Sequence, residues 1–325
     1  MNAQILILAG SLMGMLWLAP LAAEPQPPRA VDLEFESGAG RLSGTLFLPA
    51  GEGPFPAVVF IEGSGDSSYR EGWEPGERRP WFWPQLQRWF EQRGHAVYLH
   101  DKPGVGRSAG NWRREDFDDR ADNVIAALRA VAAQPDIDAA RIGVLGHSQG
   151  GWIGVMVAAR WPGEVAYVVS LAGPATGVRQ QIIEDTRNRW QCEGHRLLAL
   201  REAGLRALLS TLGAVGRLIP AGYLSGIVRY DPADDLARVE SPMLALFAGN
   251  DIMVMPETNV APLESHFGRV SGNRQVFIRT LEGVDHFFRE GEFCLGGPRP
   301  QRFAPGFWEA METPAFWQSA TPDGG

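Results

Sequence analysis

The string GHSQG at residues 146–150 sets Ser148 between two glycines, after the apolar run RIGVL and before GWIGVMVAA. A strand that turns this abruptly into a helix forces the serine into strained backbone angles. Gly146 and Gly150 remove the side-chain collisions that such a turn would otherwise make. The hydroxyl then stands clear of the strand end, and the following helix N-terminus favours a developing negative charge. The chemistry this suits is nucleophilic attack on an acyl carbon, which needs a base and an acid to orient that base.

Six histidines are present, at 95, 100, 147, 195, 266 and 286. A strand-turn-helix serine of this kind is followed along the chain first by its acid and then by its histidine, which leaves His266 and His286. His266 sits in the helical pattern PLESHFGRV and reads as a surface or internally satisfied residue. His286 follows the last strand in LEGVDHFF, at a strand-end loop, and is the expected base. For the acid, MLALFAGNDIMV puts Asp251 just past an apolar strand, where a carboxylate can hold an imidazole in one tautomer. The competing reading is a turn-forming Asn-Asp pair. Asp231, Asp234 and Asp235 are further candidates, and Asp285 reads as a solvated loop carboxylate. Two backbone N–H groups must also meet the oxyanion. Gln149 supplies one by position, and the loop Glu62-Gly63-Ser64-Gly65-Asp66 supplies the other, from Ser64 first and Gly65 next.

These residues need a scaffold that brings strand ends together. VDLEFES and LSGTLFLP read as a leading hairpin. AVVFI (57–61), AVYLH (96–100), IGVLG (142–146), AYVVSL (166–171), MLALFA (243–248) and VFIRTL (276–281) are apolar enough for strands covered on both faces. Helical patterns lie between them: WPQLQRWFEQRG, stopped by Gly94, then DDRADNVIAALRAVAAQ, then GGWIGVMVAARWP. Alternating strands and helices imply an α/β fold with a mostly parallel central sheet flanked by helices. The interval of about 176–240 is too long for a connection and reads as an inserted helical cap. Asp101 and Gly104–Ser108 read as a structural turn near the nucleophile.

Taken together, EGSGDSS, YLHDKPGVGRSAG, GVLGHSQGGW, YDPADDL, AGNDIMVMPE and EGVDHFF resemble the α/β-hydrolase-fold serine hydrolases, in their esterase, acyl-thioesterase and serine-aminopeptidase branch. The resemblance runs from Val31 onward. It implies a Ser148-Asp251-His286 triad, acyl transfer to water, and no metal or organic cofactor. Two departures stand out: Glu62 replaces the histidine of the usual HG loop, and Pro103 replaces an arginine in the DxRGxGxS segment.

The remaining composition narrows the partners. A net charge of −8 and a chain without like-charge blocks give no footprint for nucleic acid. Residues 1–23 are uncharged and end in small residues before EPQPP, as a secretory signal peptide does, with a membrane anchor as the alternative; 24–325 then form one domain. After cleavage no stable membrane span is expected, and the product is periplasmic or secreted. Cys192 and Cys294 are too few for a disulfide framework but fit one bridge in an oxidising compartment. Tryptophans cluster near Trp73–Trp89 and Trp308–Trp317, either as an aromatic wall beside a pocket or as core. The substrate expected is a small-molecule carboxylic ester. An aminopeptidase or amidase, anchoring an amino terminus on Glu184 or Asp185, or an acyl-thioesterase is the second reading; a non-catalytic protein on the same scaffold is the third.

Overall fold

The computed structural model describes residues 26–72, 81–215, 223–294 and 299–320. The expected leader at 1–23, and Trp73, lie outside these residues. The chain opens on the hairpin β1 (Arg29–Ser37) and β2 (Gly40–Leu48), turned at Gly40 with a positive φ of 104°. Then follow β3 (Phe55–Ile61), α1 (Phe82–Glu91), β4 (Ala96–His100), α2 (Phe117–Ala132), β5 (Ile137–His147), α3 (Gln149–Arg160) and β6 (Val168–Leu171). Four helices occupy the interval before the next strand: α4 (Val178–Cys192), α5 (Leu198–Val215), α6 (Tyr223–Ile227) and α7 (Ala233–Arg238). The chain closes with β7 (Met243–Ala248), α8 (Pro256–His266), β8 (Val276–Leu281), α9 (Gly306–Met311) and α10 (Pro314–Ala320).

One eight-stranded sheet runs in the order β1-β2-β4-β3-β5-β6-β7-β8. The β1/β2 and β2/β4 pairs are antiparallel, and every later pair is parallel. Parallel pairing follows from the sequence: successive apolar strands are joined by helical crossovers that cover the faces of the sheet. Val58 and Val59 of β3, fully buried on opposite faces, show the consequence. Each is worth roughly 1.5–3 kcal/mol of burial. The last strand departs from that expectation. VFIRTL forms β8, but as the sheet's edge it is covered only in part and exposes Arg279 and Thr280.

Because β3, β4, β5, β7 and β8 run the same way, the loops leaving their carboxyl ends share one rim of the sheet. Those loops carry Glu62–Gly65, Asp101–Ser108, Ser148, Asp251 and His286. The helix before the centre is fixed locally: Asp116 accepts from the Asp119 N–H and Asp119 accepts from the Asp116 N–H, each at 3.0 Å, a reciprocal cap at the start of α2. The tryptophan clusters mostly pack on one another. Trp89 stacks on Trp308 at 6.1 Å, and Trp317 lies 5.9 Å from Trp89. Only Trp83 among the described tryptophans borders the cavity beside Ser148.

Candidate active site

Ser148 stands between the end of β5 and the first residue of α3 with φ 56° and ψ −125°, a left-handed conformation that costs a non-glycine residue of order 1–3 kcal/mol. Its neighbours explain how the turn closes. A Cβ on Gly146 would lie 2.1 Å from the Gly150 carbonyl oxygen, and one on Gly150 would lie 2.2 Å from that of Ile61. Both positions therefore exclude any other residue. The Ser148 N–H donates to the Leu171 carbonyl at 2.9 Å, which locks the strained residue to β6.

His286 Nδ1 and Asp251 Oδ2 are 2.6 Å apart and both residues are buried. The other Asp251 oxygen accepts from the N–H groups of Met253 at 2.7 Å and Val254 at 3.1 Å. A carboxylate so engaged is fixed in direction and fixes the tautomer of the ring beside it. Ser148 and His286 border the same cavity of about 120 Å³, with Glu62, Gly63, Ser64, Lys102, Trp83, Met253 and Phe287. The structure thus brings Ser148, Asp251 and His286 to one rim. It also sets Ser64 on the cavity wall. Gly65 is not on that wall: its φ is +100° and its carbonyl accepts from Lys102 Nζ at 2.7 Å. Gly63, not singled out in the sequence, approaches the nucleophile closely, since a Cβ there would be 3.2 Å from the Ser148 Cβ. Gln149 is the first residue of α3, where a helix leaves its N–H without an intrahelical acceptor.

The other candidates serve elsewhere. His266 ends α8, half-buried and away from the cavity. Asp235 is buried in bonds from Arg160, Arg238 and Tyr230, and Asp231 accepts from the Ala233 N–H. Asp234 lies in the first turn of α7. Asp285 is not solvated, contrary to expectation. It is buried, it accepts from the N–H groups of Phe287 and Arg289, and it pairs with the Arg289 and Arg299 guanidiniums. Burial alone would push its carboxyl up, but those bonds outweigh it and hold it below the usual range. The α4 acids considered as an amino-terminus anchor are engaged elsewhere. Glu184 is buried, accepting from Gln180 at 2.9 Å and Thr258 at 2.8 Å, and Asp185 pairs with Arg189 at 2.7 Å. Neither borders the cavity.

Several supporting residues had no sequence signal because their contacts are long-range. His147 Nε2 meets the His286 carbonyl at 3.0 Å and its ring packs on Phe82, Trp83 and Phe287. From α4, Asn188 donates to the Ile252 carbonyl at 2.9 Å and Gln181 donates to the Met253 carbonyl, which braces the loop after Asp251. The same helix ends in Cys192, disulfide-bonded to Cys294 with 5.3 Å between Cα atoms.

The family described as serine aminopeptidase S33 matches residues 81–207. Esterase EstD of Thermotoga maritima is 25% identical over 296 residues, which cover 87% of this chain and 68% of that protein. Esterase FrsA of Enterobacter sp. is 26% identical over 223 residues, and the chain spans half of its length. Among solved structures, the Pyrococcus furiosus esterase Pf2001 superposes with a TM-score of 0.56 at 16% identity, covering 82% of this chain and 90% of that one. The chain has the fold of the α/β hydrolases. The 2,6-dihydroxy-pseudo-oxynicotine hydrolase shares this fold at a TM-score of 0.55 and 19% identity, over 80% of this chain and 63% of its own. Among the described residues no group of three or more side chains could hold a metal ion.

Proposed function

We propose that the hydrolase cleaves small carboxylic esters through an acyl-enzyme on Ser148. The observation that carries this is the buried His286–Asp251 pair opening onto the same cavity as the strained Ser148. His286 takes the Ser148 proton as Oγ attacks the carbonyl carbon. The N–H groups of Gln149 and Ser64 then meet the oxyanion, a contribution of roughly 3–4 kcal/mol for each donor. The alkoxide leaves with the proton from His286, which next activates water to release the acid. The esterase names of two relatives support the ester. A cavity of about 120 Å³, small beside ordinary ligand sites, supports a short acyl group. Glu184 and Asp185 stand outside the cavity, so an anchor for an amino terminus lacks support despite the aminopeptidase family match. Turnover of p-nitrophenyl esters of graded length, beside aminoacyl anilides, tests the reading. Acetate and butyrate esters should be the best substrates; faster cleavage of the anilides would overturn it.

We also propose that the chain works outside the cytoplasm. The Cys192–Cys294 bridge suits an oxidising compartment, and the uncharged start of the chain suits export. Protein isolated from its native host should begin near Glu24. A full-length chain in the membrane fraction would replace export with anchoring.

A further inference from the structure

Among 30 basic residues the chain has 29 arginines and a single lysine, Lys102. That lysine is buried, follows β4, and borders the cavity beside Ser148. Its ammonium donates to the Gly65 carbonyl at 2.7 Å and the Gly63 carbonyl at 3.1 Å, and forms an ion pair with Glu62 Oε2 at 3.4 Å. A second buried cation completes the arrangement. Arg120 donates to the Glu62 carbonyl at 3.1 Å and to the Gln149 side chain, whose oxygen also accepts from the Tyr223 hydroxyl at 2.6 Å. Arg120 therefore joins the loop after β3 to the turn at Ser148. Three carbonyls of the 62–65 loop are drawn to cations. In a trans peptide the N–H points opposite to its C=O, so the N–H groups of Gly63 and Ser64 are turned away from those cations. Among the described residues these two N–H groups have no acceptor.

We propose that Lys102 is a positioning residue, whose ammonium ties down the Gly63 and Gly65 carbonyls so that the Ser64 N–H is aimed at the oxyanion formed on Ser148. The inference rests on the acyl-transfer reading above and deepens it. A lysine suits the place because its compact ammonium serves two carbonyls and a carboxylate in separate directions, whereas a planar guanidinium matches a single flat partner. Glu62, where related chains carry the histidine of an HG loop, supplies the counter-charge. Burial pushes the Lys102 ammonium down from its ordinary value and Glu62 acts against that shift. The Glu62 carboxyl is itself pushed up, by burial, to about 7. Neither Lys102 nor Glu62 needs to touch substrate.

The test compares wild type, Lys102→Met and Ser148→Ala as full chains, with p-nitrophenyl butyrate as substrate and an alkyl trifluoromethyl ketone as the oxyanion-forming ligand. Misaiming a donor by about 1 Å costs on the order of 100-fold, so Lys102→Met should lose about 100-fold in kcat with KM nearly unchanged. The ketone should bind it more weakly by a similar factor. An unchanged kcat in folded Lys102→Met, or a rise in KM without a fall in kcat, would overturn the inference. Full loss in Ser148→Ala beside an unchanged Lys102→Met sinks the lysine's role alone; turnover by Ser148→Ala sinks the acyl-transfer reading and this inference with it. Should Lys102→Met not fold, 15N-lysine labelling of the unaltered chain decides. Its one Nζ signal must shift when the ketone binds, and a signal that stays in place contradicts the proposal.

Discussion

Asp251 spends both oxygens, one on two backbone N–H groups and one on His286, so its removal has a definite consequence. Asp251→Asn keeps the shape but presents a donor to Nδ1, which favours the wrong tautomer. Activity should fall by about 10⁴. Because members of such a set act as a unit, Asp251→Asn combined with Ser148→Ala should be little worse than Ser148→Ala. Steady-state kinetics of the three variants check this; losses that multiply would mean independent roles. A second residue-scale prediction concerns His100, buried between Phe35 and Tyr98 with no partner for Nδ1. Burial, then the charges of Arg120 and Lys102, lower it from 6.5 to about 4. A histidine whose folded value is depressed contributes stability above its unfolded value that is lost as pH falls through the folded one. His100→Phe should therefore gain on wild type between pH 6.5 and 4, by up to about 3 kcal/mol. Denaturant unfolding at pH 7 and pH 4.5 measures the gap, and a gap independent of pH contradicts the assignment.

At the scale of elements, α4 links two parts of the site. Its side chains brace the loop after Asp251, and its last residue is bonded to Cys294, eight positions beyond His286. The bridge closes a separation of 102 positions, for which chain entropy gives roughly 4–5 kcal/mol. Cys192→Ser should lower stability by about 2–5 kcal/mol, read as a shift in urea midpoint, and reductant should destabilise wild type alone. No effect of reductant would mean that the thiols are free in solution. The turn at Ser148 and most strands were legible because each depends on neighbours in sequence: glycines at 146 and 150, and continuous apolar runs. Three features were not. The edge position of β8 depends on strand order. The burial of Asp285 depends on Arg299, distant in the chain. The role of Lys102 depends on a loop 37–40 positions earlier. The ranking of Ser64 before Gly65 rests on position alone, and the structure sets Gly63 and Ser64, not Gly65, on the cavity wall.

For the whole molecule, the account reduces to one chemical event at one rim of the sheet. Five loops from parallel strands converge there, and Ser148 stands among them with a positive φ. The most direct measurement is intact-mass and peptide-level mass spectrometry of the chain after a short exposure to a fluorophosphonate. The account predicts one adduct per chain, on the peptide containing Ser148, absent from Ser148→Ala and formed far more slowly by His286→Ala. Labelling at any other residue, or ester turnover that persists unchanged in a Ser148→Ala chain, would contradict it.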